Sequence, residues 1–123
     1  MHKLFSEERA ISEPEASVIG WLLDRAALGD ITEYRRRPVN QLRVIGGCDC
    51  GCTSLDFRPH LRGARIIADA LAVYSDGQQA GLILWGWEGE IIWLEVYDCH
   101  PEASHRFPKV PDLRTFEERG REL

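Results

Sequence analysis

Apolar positions change their period once along this chain. Between Ser12 and Gly29 they recur every three or four residues, so that Val18, Ile19, Leu22, Leu23 and Ala26 share one stripe of an amphipathic helix. Ser12 and Glu15 form a capping box that satisfies two orphan amides at its start, and Pro14 sits in the first turn, where it removes no helical bond. Gly29 suits the C-terminal end. Asp30 and Glu33 repeat the capping pattern and predict a second short helix that Pro38 stops. Beyond Pro38 the period becomes two, and residues 41–47, 54–59, 64–74, 79–87 and 90–98 read as strands. Residues 1–11 form a polar N-terminal segment with a short helical turn after Ser6. The tail 101–123, with prolines at 101, 108 and 111, is expected to run extended over the surface. Thr115 and Glu118 offer one last capping box there.

The expected fold class is α+β. An N-terminal helix packs on one face of a four- to five-stranded antiparallel sheet, and residues 1–123 form a single domain. Asp76-Gly77 and Glu88-Gly89 read as two-residue hairpin loops, which makes the last three strands a meander and sets their register. That register places Ala68, Ala70, Ala72, Gly81, Ile83, Trp85, Ile92, Leu94 and Val96 on one apolar face, where the helix packs. The other face then carries Ile67, Asp69, Leu71, Leu82, Leu84, Trp93, Glu95 and Tyr97. Two acids among aromatic rings make that second face a candidate partner-binding surface, with Asp69 and Glu95 as polar determinants and Trp93 and Tyr97 as anchors. A catalytic version makes Glu95 a general base whose pKa burial raises. The plain alternative is a half-exposed sheet face with its acids turned to water.

Charge narrows the functional classes. The net charge of −5 gives no basic face for nucleic acid, and the Arg35–Arg37 triplet reads as solvated surface. The first 17 residues carry four acids and no apolar core of a signal peptide, and the longest apolar runs are too short to cross a bilayer. The expectation is a cytoplasmic protein with no membrane and no nucleic-acid partner. In that compartment thiols stay reduced, and clustered cysteines indicate metal or redox chemistry more often than structural disulfides.

Three of the four cysteines, Cys48, Cys50 and Cys52, alternate in the stretch GGCDCGCTSLDF between two strand-like runs. A three-residue loop Asp49-Cys50-Gly51 would seat Cys48 opposite Cys52, with Cβ atoms about 5 Å apart. A two-residue loop Cys50-Gly51 would pair Asp49 with Cys52 instead. Tetrahedral zinc takes four N or S donors, so the loop supplies three sulfurs and Cys99 or His100 supplies the fourth. The spacing is tighter than the usual zinc knuckle, and no second knuckle is present. Thiol–disulfide exchange is a further option, which Asp49 opposes by disfavouring thiolate. Packing of Cys48 and Cys52 as small hydrophobes beside an exposed Cys50 is the other. His60 between Arg58 and Arg62 offers a weak anion site, and His105 and His2 read as exposed. No phosphate loop, dinucleotide fingerprint, zinc-protease helix or nucleophile elbow is present.

The stretches RVIGGCDCGCTSLDF and GLILWGWEGEIIWLEVYD, with a proline-containing tail, resemble a family of short uncharacterised bacterial proteins that pair a Cys-x-Cys-x-Cys turn with a Leu-Glu-Val-Tyr strand. The likeness covers residues 43–57 and 81–98 and places Cys48, Cys50, Cys52, Glu95 and Tyr97 on its motif positions. Thr53 departs from it, where proline is expected. The resemblance implies no activity. Size and fold are also those of immunity proteins and antitoxins, an analogy of architecture alone. The leading expectation is therefore a non-enzymatic interaction protein of the immunity type, binding an unknown protein partner or itself. A small zinc or other soft-metal protein is the alternative. A hydrolase-like enzyme with Glu95 or Asp69 as base comes last, because no nucleophile–base pair is visible.

Overall fold

A computed structural model describes residues 2–59 and 62–118. The helix α1, Glu13–Arg25, begins as its sequence dictates. Glu15 N–H donates to Ser12 Oγ at 3.3 Å and Ser12 N–H donates to Glu15 Oε1 at 2.9 Å. Arg9 adds a bidentate contact to the same carboxylate, 2.8 Å on each oxygen. Burial works to raise the Glu15 pKa, but the hydrogen bonds from Arg9 and Ser12 outweigh it and hold the carboxyl below its ordinary range. A depressed folded-state pKa contributes stability above the unfolded value, and that stability is lost as pH falls through the folded one. Glu15→Gln should therefore cost about 1 kcal/mol near neutrality, the usual size of a cap, with the difference from wild type vanishing in acid. Urea midpoints measured from pH 7 down to pH 3 check this.

The second expected helix is a single 3-10 turn, Thr32–Arg35, in which Asp30 accepts from both the amide (3.0 Å) and the hydroxyl (2.7 Å) of Thr32. The Arg35–Arg37 run is exposed, as expected of solvated surface, and two of its members also make contacts. Arg35 donates to the Leu23 carbonyl at the C-terminal end of α1, and Arg37 pairs with Glu90 at 3.1 Å.

The sheet has seven strands rather than four or five. They are β1 (His2–Ala10), β2 (Arg43–Cys48), β3 (Leu55–Asp56), β4 (Arg65–Val73), β5 (Gln79–Trp87), β6 (Glu90–Asp98) and β7 (Leu113–Arg114), in the order β1-β2-β3-β6-β5-β4-β7. All the pairings are antiparallel. Two of the strands, β1 and β7, depart from the expectation. The polar N-terminal segment is an edge strand against β2, and the tail is not merely extended over the surface. Its Leu113, only 3% exposed, pairs opposite Ala72 to make β7. The last capping box does form, with Thr115 and Glu118 exchanging hydrogen bonds at 3.1 and 3.0 Å.

The meander β4–β5–β6 forms, but its register differs from expectation by one residue in each hairpin. The Asp76-Gly77 turn is a three-residue loop, because only Gly77 (φ +86°) takes the left-handed conformation and Tyr74 N–H reaches Gln78 O at 2.9 Å. Asp69 therefore faces Ile83, and Leu71 faces Gly81. Glu88 (φ +46°) and Gly89 (φ +80°) do make the two-residue loop, with Trp87 opposite Glu90. A bulge at Ile92 then slips the pairing, so that Trp85 faces Trp93, Ile83 faces Glu95 and Gly81 faces Tyr97. The two slips turn β5 over relative to its neighbours. Leu82 and Leu84, expected on the mixed face, are fully buried on the helix side with Ala68, Ala70, Ala72, Ala80, Leu94 and Val96. Ile83 and Trp85, expected under the helix, lie on the outer face. The row of alanines lets α1 approach β4, and Val18, Ile19, Leu22 and Leu23 close the core from above.

Candidate metal centre

The cysteine corner joins β2 to β3. The last β2–β3 pair is Gly47 with Leu55, so residues 49–54 form the connection after Cys48, and Cys48 does not stand opposite Cys52 as the short-hairpin reading required. The three sulfurs nevertheless converge. Gly51 takes φ +94°, a left-handed bend that carries a side chain only with strain, and folds the loop back on itself. The Sγ atoms of Cys48, Cys50 and Cys52 all lie within 4.8 Å of one another, with Cys48 and Cys50 2.6 Å apart. Among the described residues no other group of three His, Cys, Asp or Glu side chains is gathered so closely. No disulfide joins the four cysteines.

Backbone amides serve two of the sulfurs. Cys50 N–H donates to Cys48 Sγ and Cys52 N–H donates to Cys50 Sγ, each at 3.4 Å. Hydrogen bonds of this kind stabilise a ligating thiolate from outside the coordination sphere. Cys52 Sγ in turn contacts Ser54 Oγ at 3.3 Å. Ser54 is buried, accepting from Val96 N–H at 2.9 Å and donating to Val96 O at 3.3 Å, so the loop is fastened to β6. On its other side the amide and hydroxyl of Thr53 both donate to Ser104 O, at 2.8 and 2.9 Å. Cys50 is exposed, as the packing alternative expects, but Cys48 and Cys52 are only half-buried where that alternative has them buried.

Cys99 and His100 are not brought to this group. His100 Nδ1 accepts from Gln79 N–H at 3.0 Å, and Cys99 N–H donates to Gln79 O at 3.2 Å, which ties both to the end of the β5–β6 pair. Burial, assisted by the charge of Asp98, pushes the Cys99 thiol up and away from thiolate. The histidine that does lie beside the loop is His105. A Cβ built on Gly51 would stand 3.4 Å from its Nε2. His105 ends the 3-10 turn Ala103–His105, held by Ser104 N–H to Asp98 Oδ1 at 2.6 Å. Beyond it, Tyr74 O–H donates to Arg106 O at 2.7 Å. Its sequence position betrays none of this, because the contact spans more than fifty residues. His60 lies outside the described residues, and Arg58 pairs with Glu90 at 3.3 Å.

The sheet face opposite α1 does gather Asp69, Trp93, Glu95 and Tyr97, all half-buried, and adds Trp85 and Ile83. Trp85 stacks on Trp93 with centroids 4.8 Å apart and planes 4° from parallel. Its indole N–H donates to Glu95 Oε1 at 3.1 Å. The Tyr97 ring lies across Gly81, where a Cβ would come within 1.8 Å of it. Burial raises the Asp69 pKa, and burial followed by the charges of Cys99, Asp69 and Glu95 raises that of Tyr97. Sequence reasoning passed over Asp56, a carboxylate 2% exposed and set opposite Trp93. A cleft of about 510 Å³ lies elsewhere, with Arg37, Arg43, Arg58, Glu8 and Glu90 around Leu42, Ile45, Phe57 and Ile91. A second, of about 540 Å³, lies beside the start of α1. Neither includes Glu95 or Asp69, so the catalytic reading of those acids gains no support.

Among the described residues no helix is long and apolar enough to cross a membrane. No protein-family model, no curated protein and no solved structure matches this chain.

Proposed function

We propose that this chain binds a soft metal ion, of the zinc or copper(I) class, through the thiolates of Cys48, Cys50 and Cys52. One observation carries the reading: three sulfurs lie within 4.8 Å of one another in a loop whose amides already point at two of them. Thiolates select soft and borderline ions over calcium or magnesium. At zinc–sulfur distances of about 2.3 Å, tetrahedral geometry sets neighbouring sulfurs about 3.8 Å apart. The Cys48–Cys50 pair therefore opens by about 1 Å on binding while the group as a whole contracts. Because each ligand gives up its proton, retention of the ion should fall as pH is lowered. Metal analysis of protein reconstituted with zinc or copper(I) and then desalted should find about one equivalent. Cys50→Ser should bring that to background. Less than about a tenth of an equivalent in wild type would end the reading.

A second reading keeps the outer sheet face as a binding surface for a protein partner. Asp69 and Glu95 beside the Trp85–Trp93 stack suit a partner presenting arginine or lysine, whose cations find both carboxylates and ring faces. Titration with an arginine-rich peptide, followed by tryptophan emission, should show salt-sensitive binding that Glu95→Gln weakens. An unchanged emission would count against it.

A further inference from the structure

Three thiolates leave a tetrahedral ion one position short. We infer that His105 fills it, making a Cys3His site for a divalent cation of the zinc class; this rests on the three-thiolate reading above. The connection carrying His105 is already docked on the cysteine loop, because Ser104 O accepts both the amide and the hydroxyl of Thr53. The imidazole stands over Gly51, the residue between Cys50 and Cys52, with Nε2 the ring atom nearest to where a Cβ would be. No hydrogen bond among the described residues engages either of its ring nitrogens. His100 differs on each count, since its Nδ1 is held by Gln79 and it lies against β5. His105 is outside the 4.8 Å group and exposed, so ligation requires its side chain to turn inward.

The fourth donor decides what the ion does. A Cys3His site is closed and holds no water for hydrolysis, so its role is to pin the β2–β3 loop to the connection after β6. Copper(I) satisfied by three sulfurs alone would leave His105 unused.

Cobalt(II) and zinc titrations of the full chain test this, with His105→Gln and His100→Gln as the paired variants. The wild type should show the intense d–d absorption of four-coordinate cobalt, and zinc should displace it. His105→Gln should shift that band and lower zinc affinity by about 100-fold or more, beyond what partners outside the coordination sphere usually carry. His100→Gln should leave both unchanged. His105 is exposed, so its variant should keep the wild-type circular dichroism. A His105→Gln protein with wild-type spectrum and affinity overturns the inference and leaves the three-thiolate reading standing. Binding of copper(I) but not of zinc or cobalt does the same. A wild type that binds no metal sinks both.

Discussion

Zinc should raise the melting temperature of the full chain by about 12 °C or more. A ligand that binds only the folded state contributes about 4 kcal/mol when present at about a thousand times its dissociation constant. For a chain of this length each kcal/mol moves the midpoint by about 3 to 6 °C. The site has the features that make such coupling strong. Its three sulfur donors come from one corner of the chain, which is fastened to β6 through Ser54 and to the β6–β7 connection through Thr53. An ion held there resists separation of three segments at once. Cys50→Ser should abolish the shift while leaving the metal-free midpoint in place, because that thiol is exposed. Calorimetry with and without zinc checks both arms, and equal midpoints would remove the metal from any account of this fold.

Leu84→Ala should destabilise the protein by about 3 kcal/mol, within the usual span for emptying a core leucine site. Leu84 is fully buried beneath α1, between Ala68 and Leu94 on its neighbouring strands. Ile83→Ala, on the half-exposed outer face, should cost about 1 kcal/mol or less, since little of its surface is withdrawn from water. The contrast tests the register itself. Had both turns been two-residue loops with no bulge, Ile83 would sit in the core and Leu84 outside, and the two costs would be exchanged. Urea midpoints for the pair of variants decide between them.

The elements that the sequence made plain had two independent signals. Helix α1 had a stripe of apolar residues and a cap, and both are present. Strand β6 alternates Trp93, Glu95 and Tyr97 with Leu94 and Val96, so its inner and outer faces were legible. Strand β5 has no such contrast. Leu82, Ile83, Leu84 and Trp85 are apolar on both sides, and nothing in them opposes a one-residue slip. The decision fell to Gly77 and to the bulge at Ile92, which turn residues alone do not announce. Strand β1 was missed because an edge strand exposed along its length shows no burial pattern, and β7 because two residues make no period. At the candidate site the three sulfurs were read correctly as a group. The histidine beside their loop was not, since His100 and His105 look alike until the chain is folded.

The outer edge of β4 is covered from two places: residues 26–28, where Leu28 N–H donates to Ile67 O and Asp69 N–H donates to Ala26 O, and the two residues of β7 opposite Leu71 and Ala72. On the far side of the sheet, β1 carries Lys3, Glu7, Glu8 and Arg9, charges that discourage a foreign strand from docking. At Leu71 and Ala72, where β7 is the cover, β4 carries no charge of its own. A chain trimmed before Val110 would bare that end of β4 as a template for strand addition between molecules. Fibril formation by such a shortened form would then report the lost edge cover, and would say nothing about the thiols.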